Sequence, residues 1–283
     1  MSSLCKLLNI IGQNHSDNGE NFRASAYFKA SKILKGKDGI TGSEARKLRG
    51  IGAKIEKKIN EFNRTGTIAD AFKVNEILKL FTSIHGVGPV KAKEWIKDGY
   101  KTLDDLKEVQ MTHAQRLGYD NVDDLKERIP RSEIAELELY IKDKVPNSVI
   151  CGSYRRGHAD SGDIDLLVKG GTIYSVVDDL KDILVGTLSL GKTKFMGLCI
   201  LSNKVRRIDI LVVNEESWYY SLLYFTGSKE LNIKMRNVAK DMGLTLNEYR
   251  LGNVEVNSEE EIFKILGMKY LSLSERDLKW RSF

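Results

Sequence analysis

Two spacings of apolar residues divide the chain. Over residues 1–132 the apolar positions recur three and four apart, with few β-branched runs, which predicts helices. Glycines at 36–42, 50–52 and 66 break them. The helix predicted over 53–62 carries an apolar stripe of Ile55, Ile59 and Phe62. Further helices are predicted over 74–81, 91–97, 103–108, 112–118 and 122–129, and Pro130 ends the last of them. Beyond it the pattern becomes mixed. A helix over 132–144 precedes a strand over 149–151 and a second strand over 163–168. A helix over 173–184 follows, then strand-like runs over 187–190, 195–201 and 206–213. An aromatic segment, 218–228, and a helix over 229–242 close the pattern. The expected fold is multidomain α+β: helical segments 1–73 and 74–132, a mixed α/β segment 133–213 with a sheet of four or five strands and two helices on one face, and a small α/β segment 214–283.

Composition sharpens this only in places. The chain of 283 residues is 41% hydrophobic and 30% charged, the balance of a folded protein, and has no 18-residue apolar run, so no membrane partner is expected. The three cysteines, Cys5, Cys151 and Cys199, are widely spaced and form no C-x-x-C pair. That speaks against a disulfide framework or a zinc site and for a reducing, intracellular compartment. The net charge of +6 is uneven: residues 1–80 hold 15 Lys/Arg against 8 Asp/Glu, and the remainder 30 against 31. A basic first segment suits a polyanion.

Within the helical half a unit repeats. Leu48-x-Gly50-Ile51-Gly52 returns as Ile84-x-Gly86-Val87-Gly88, each followed by an amphipathic helix rich in lysine. A Gly-x-Gly turn into a helix presents backbone N–H groups to a phosphate without reading a base, so sequence-independent DNA binding is expected. The unit resembles the helix-hairpin-helix motif of DNA-repair proteins. That resemblance implies a monovalent cation, Na⁺ or K⁺, on backbone carbonyls near Leu48, Ile51, Ile84 and Val87.

The densest chemistry lies at Gly152-Ser153-Tyr-Arg-Arg156-Gly and Gly162-Asp163-Ile-Asp165. Alternation along a strand puts Asp163 and Asp165 on one face, roughly 7 Å apart. Two carboxylates so placed call for a cation, and oxygen ligands with phosphates nearby suit Mg²⁺. Asp209, in Arg206-Arg207-Ile-Asp209, adds a third carboxylate, enough for two metals. Gly152-Ser153 and Arg156 are candidate phosphate contacts.

These motifs, with Gly191-x-Thr-Lys194-Phe-Met-Gly and Tyr224-Phe225-Thr-Gly227-Ser, resemble those of the family X DNA polymerases of the beta type, in the same order along nearly the whole chain. The resemblance implies a helix-hairpin-helix lyase domain (1–73), a helical duplex-binding subdomain (74–132), a nucleotidyltransferase palm (133–213) and a nucleotide-selection subdomain (214–283). It implies two-metal nucleotidyl transfer from dNTPs, filling short gaps in base excision repair. Asp163, Asp165 and Asp209 would hold Mg²⁺, with Mn²⁺ as a substitute. Arg128, Gly152, Ser153, Arg156, Gly162, Asp163, Tyr224, Phe225, Gly227 and Asn232 would bind the nucleotide, and Lys194, Arg207 and Arg236 the DNA. In the first domain Lys58 would be the Schiff-base nucleophile of a 5′-deoxyribose-phosphate lyase. Arg23, Tyr27, Arg46, Gly50, Gly52, Lys54, Gly86 and Gly88 would bind DNA beside it. The neighbouring cations Lys54 and Lys57 are expected to depress the Lys58 pKa.

The chain departs from the family pattern at Lys229 (family Asp), Leu211 (family Arg), Arg23 (family Lys) and Phe22 (family His). A cation at Lys229 is expected to tighten nucleotide binding, and Leu211 to remove a brake on closure of the site. The expected partner is gapped or nicked duplex DNA, bound by a monomer in the nucleus or, if the chain is viral, in a cytoplasmic virus factory. Template-independent nucleotidyl transfer and noncatalytic binding of gapped DNA are the rival readings.

Overall fold

Residues 3–17, 20–72 and 76–277 are described by the computed structural model, and they fall into two compact units, 1–110 and 111–283. The first unit is helical: α1 (Ser3–Asp17), α2 (Asn21–Ile33), α3 (Gly42–Arg46), α4 (Ala53–Thr65), α5 (Glu76–Thr82) and α6 (Pro89–Lys97). The apolar stripe of α4 is buried as its spacing predicts. Ile55 and Ile59 join Leu8, Ile11, Ala30, Leu34 and Ile68 in one core, with Phe62 at its edge. Thr41 and Glu44 close a capping box on α3, and Gly66, at φ +73°, ends α4 in the left-handed conformation. The helix predicted over 103–108 shrinks to one 3₁₀ turn, Asp104–Leu106. The Asp105 carboxylate instead accepts from the N–H groups of Lys101 and Thr102, at 2.8 and 2.9 Å. Positions 74 and 75 of the predicted 74–81 helix lie outside the described residues.

The second unit begins with α7 (His113–Asp120) and α8 (Val122–Lys126). Here the predicted helix 122–129 stops early. Ile129–Pro130 (β1) pairs antiparallel with Asp160–Ser161 (β3), because Pro130 forces its neighbour into extended backbone. After α9 (Arg131–Lys144) come β2 (Ser148–Ile150), α10 (Gly152–Arg155), β4 (Ile164–Lys169), α11 (Ile173–Asp179), β5 (Leu184–Leu190), β6 (Lys194–Leu201) and β7 (Lys204–Val213). The five-stranded sheet has the order β2-β4-β7-β6-β5, and only β4 and β7 run parallel. One face, through Leu166, Val168, Ile208 and Ile210, packs against Ile134, Leu137 and Ile141 of α9 and Ile173 and Val176 of α11. The other face, through Leu167, Leu211 and Val213, meets Leu222 and Phe225 of α12 (Trp218–Thr226). A satellite core joins Tyr220 and Leu223 of α12 to Leu231 and Met235 of α13 (Lys229–Asp241) and to Ile262 and Phe263 of α14 (Glu259–Ile265). No helix among the described residues is long and apolar enough to cross a membrane.

Candidate active site

Parallel pairing of β4 with β7 sets Asp165 directly beside Asp209. Alternation then puts both on the face that carries Leu167 and Leu211, where the sheet meets α12. Asp209 is 9% exposed, and its Oδ1 is buried with no hydrogen-bond partner. Burial, and then the charge of Asp209, push Asp165 up to about 6. An orphaned carboxylate oxygen beside a second carboxylate raised by burial is an arrangement that a divalent cation relieves, and an all-oxygen donor pair suits Mg²⁺ or Mn²⁺. The third carboxylate departs from its expected strand position. Asp163 precedes β4 rather than lying within it, and it is paired with Arg207 of β7. Among the described residues no three acidic, His or Cys side chains therefore converge as a metal site. Arg207, expected on DNA, is held by this carboxylate.

Gly152 explains how α10 comes so close. Its φ is +57°, and a Cβ added there would lie 2.3 Å from the Asp165 carboxylate. The cleft that opens over the aspartates encloses about 690 Å³. All ten residues expected at the nucleotide site line it: Arg128, Gly152, Ser153, Arg156, Gly162, Asp163, Tyr224, Phe225, Gly227 and Asn232. Lys194, Lys229 and Arg236 make it strongly basic. Several of its cations are already engaged. Arg128 holds Asp160 at 2.7 Å, and Ser153 donates to Ser161 at 2.8 Å. Arg156 donates to the Thr226 carbonyl at 2.7 Å and to Asp277 at 2.9 Å, and His158 also meets Asp277, at 2.5 Å. Neither His158 nor Asp277 stood out in the sequence, because 119 positions separate them. The first arginine of the pair does another job. Arg155 joins Glu259 at 2.8 Å and Thr226 at 2.6 Å, and the fully buried Arg276 holds the same glutamate at 2.6 Å.

The wall opposite is aromatic. Tyr224 and Phe225 lie 5.7 Å apart between centroids, with Arg236 over Tyr224 at 5.2 Å and Lys194 over Phe225 at 6.0 Å. Asn232 donates to the Tyr224 carbonyl at 2.8 Å. Leu211, where the family has an arginine, is 3% exposed and packs among Leu167, Leu222 and Phe225.

The first unit holds a second cavity, of about 580 Å³, lined by Arg23, Tyr27, Gly50, Gly52, Lys54 and Asp70 with His15 and Phe22. Lys58 is adjacent, and its surroundings contradict the expected depression of its pKa. Its ammonium lies 2.8 Å from Asp70 and 3.0 Å from Glu61. Burial opposes the charge, but the bonds to Asp70 and Glu61 outweigh it and raise the pKa. Lys54 lies one helical turn away, whereas both carboxylates are in direct contact with the ammonium. Arg23 pairs with Glu20. Arg46 donates to the Ile51 carbonyl at 2.9 Å, so that oxygen, expected to hold a monovalent cation, already meets a guanidinium.

Both Gly-x-Gly turns are formed alike. Gly50 and Gly86 have φ of +102° and +80°, and N–H groups of Ile51 and Val87 bond the carbonyls of Leu48 and Ile84. Gly52 and Gly88 then cap α4 and α6 without a side-chain bond, leaving first-turn amides open to an anion.

Four family models match the chain: a helix-hairpin-helix domain over 2–68, the fingers domain of DNA polymerase lambda over 79–126, the DNA polymerase beta palm over 128–215 and the DNA polymerase beta thumb over 221–277. Curated relatives include DNA polymerase lambda of Rattus norvegicus, 30% identical over 95% of this chain and 55% of its own length. DNA polymerase lambda of Arabidopsis thaliana is 31% identical over 92% of this chain and 59% of its own. The DNA-directed DNA/RNA polymerase mu of Homo sapiens is 26% identical over 98% and 69%. The chain thus spans little more than half the length of the lambda relatives. Carboxylates paired across β4 and β7, a basic cleft over them and matched palm, thumb, fingers and helix-hairpin-helix segments agree: the chain belongs to the family X DNA polymerases.

Proposed function

We propose that this chain is a DNA-directed DNA polymerase that fills short gaps during base excision repair, and that its first domain is a 5′-deoxyribose-phosphate lyase. The four-part division at 73, 132 and 213 is proposed with it. The observation that carries the polymerase reading is the Asp165–Asp209 pair, with its orphaned oxygen, at the floor of a basic cleft.

Asp165 and Asp209 would hold Mg²⁺ or Mn²⁺, joined by Asp163 once Arg207 releases it. When bound there, the metal would supply positive charge for the developing pyrophosphate and would lower the pKa of the attacking 3′-hydroxyl. The chain's own groups do the rest. Arg128, Arg156 and Ser153 grip the triphosphate in place of Asp160, Asp277 and Ser161, their present partners. Tyr224 and Phe225 form a wall against which the sugar packs, so an added 2′-hydroxyl is excluded. Asn232, fixed to the Tyr224 carbonyl, faces the base edge. Lys229 adds a cation to the cleft where the family has a carboxylate. The uncapped N-termini after Gly52 and Gly88 bind the DNA backbone without reading sequence.

Single-nucleotide insertion tests the reading. With Mg²⁺, each dNTP is offered separately on DNA with a one-nucleotide gap and a 5′-phosphate, on an open primer-template and on a single strand. Insertion of the complementary nucleotide alone, fastest on the gap, is expected, and Asp209→Ala should abolish it. Equal extension of the single strand would instead establish a template-independent transferase. Tight binding without extension in either metal would leave a noncatalytic binder.

A further inference from the structure

Two carboxylates hold Lys58, and they are not equivalent. Glu61, one turn along α4, is pinned at 2.7 Å by the backbone N–H of Ala69, and that bond depresses its pKa. It thereby ties the 3₁₀ turn Ala69–Phe72 to α4. Asp70, carried on that turn, lies 2.8 Å from the Lys58 nitrogen and also lines the cavity shared by Arg23, Tyr27 and Lys54. Tyr27 and Arg23 face the pair from α2, and burial, then the Asp70 charge, raise the Tyr27 pKa. Of the two carboxylates at the amine, Asp70 alone borders the space open to a sugar.

We propose that Asp70 is the proton acceptor of the second site, serving both formation of the Lys58 imine and the elimination that follows. The inference rests on the lyase reading above. A resting ammonium must lose a proton before its nitrogen adds to the C1′ aldehyde, and Asp70 is in position to take it. Asp70 returns that proton to the departing C1′ hydroxyl, which leaves as water, and a protonated imine remains on Lys58. The regenerated carboxylate then removes a C2′ proton. The C2′–H electron pair forms the enamine and expels the 3′ oxygen, breaking the C3′–O bond and freeing a DNA 5′-phosphate. Hydrolysis of the unsaturated imine restores Lys58. No oxidant or reductant is required.

The test uses the full chain and gapped DNA ending in a 5′-deoxyribose phosphate, with borohydride trapping to read the imine and strand release to read elimination. Wild-type chain should be trapped and Lys58→Ala should not. Asp70→Asn should still be trapped, with the pH midpoint of trapping moved down, because the amine has lost a carboxylate that keeps it protonated. Its elimination should slow by about 100-fold, while nucleotide insertion at the other site is unchanged. Asp70→Glu, which keeps the carboxylate, should recover most of the rate. Elimination by Asp70→Asn at the wild-type rate with an unmoved midpoint overturns the proposal. So does equal loss in both variants together with lost gapped-DNA binding, which marks a structural role. Absence of trapping in the wild type, or full trapping of Lys58→Ala, overturns the lyase reading itself and Asp70's role with it.

Discussion

The aspartate pair at the floor of the cleft should cost the metal-free protein stability, and Asp165→Asn should recover it while ending synthesis. Burial and the adjacent Asp209 raise the Asp165 pKa from 3.8 to about 6. At about 1.4 kcal/mol per pKa unit, a rise of about two units is worth at most about 3 kcal/mol. The side chain is only partly buried and lines an open cleft, so about 1–2 kcal/mol is the usable figure. The sign follows from the direction of the shift. A carboxyl whose folded pKa exceeds its unfolded value holds its proton more tightly when folded. Its stabilising contribution is present below about pH 4 and is lost as pH rises through about 6. Asparagine does not titrate, so the variant gains about a third of the full amount at pH 4.5 and the full amount at pH 7.5. For the unit of residues 111–283, about 1–2 kcal/mol raises Tm by about 2–8 °C. Thermal unfolding of the whole chain in chelator at the two pH values reads this directly. Added Mg²⁺ should then raise the wild-type Tm and leave that of the variant where it was. An equal or lower Tm for Asp165→Asn at pH 7.5 in chelator would refute the reasoning, because the carboxylates would not then be held at electrostatic cost.

Asp277→Asn removes the anion that occupies Arg156 and His158, so the nucleotide KM should fall about fivefold, the worth of a partly exposed ion pair of about 1 kcal/mol, with kcat unchanged. An unchanged KM in steady-state insertion assays would show that the triphosphate does not compete with Asp277. Gly152→Ala should abolish insertion, since its Cβ would collide with the Asp165 carboxylate at 2.3 Å from a backbone with φ of +57°; wild-type rates in the gap-filling assay would mean that α10 shifts freely. Leu211→Ala should lower stability by about 2–4 kcal/mol in denaturant titration, as expected for a leucine buried between sheet and helix, and a loss under 1 kcal/mol would show the contact with Leu222 and Phe225 to be loose.

Much of the site was legible before any fold was known. Gly152, Ser153, Arg156 and the two aspartates of Gly-Asp-Ile-Asp lie within 14 positions, so local spacing already joined them, and Tyr224, Phe225 and Asn232 came through resemblance in motif. The repeat of Gly50 and Gly86 was equally visible, because a left-handed turn needs glycine at each copy. Legibility failed where partners come from distant positions. Lys54, four positions back, and the adjacent Lys57 suggested a depressed pKa for Lys58, yet Asp70, 12 residues on, folds back to 2.8 Å and reverses the sign. The chain pattern predicted three converging carboxylates, whereas Arg207 takes Asp163 for itself.

The sequence by itself determined most of the helical segments and where the alternating strands run, though not every boundary, which positions carry carboxylates and arginines, and the polymerase family to which the motifs point. Those properties depend on side-chain chemistry and on spacings of a few residues, which the order of residues states outright. The tertiary structure decided what each charge meets. Parallel pairing of β4 and β7 put Asp165 beside Asp209, the turn after α4 brought Asp70 to Lys58, and the end of the described chain carried Asp277 to Arg156. Coulomb interactions and desolvation depend on distances in space, and those are set by packing between segments far apart in sequence.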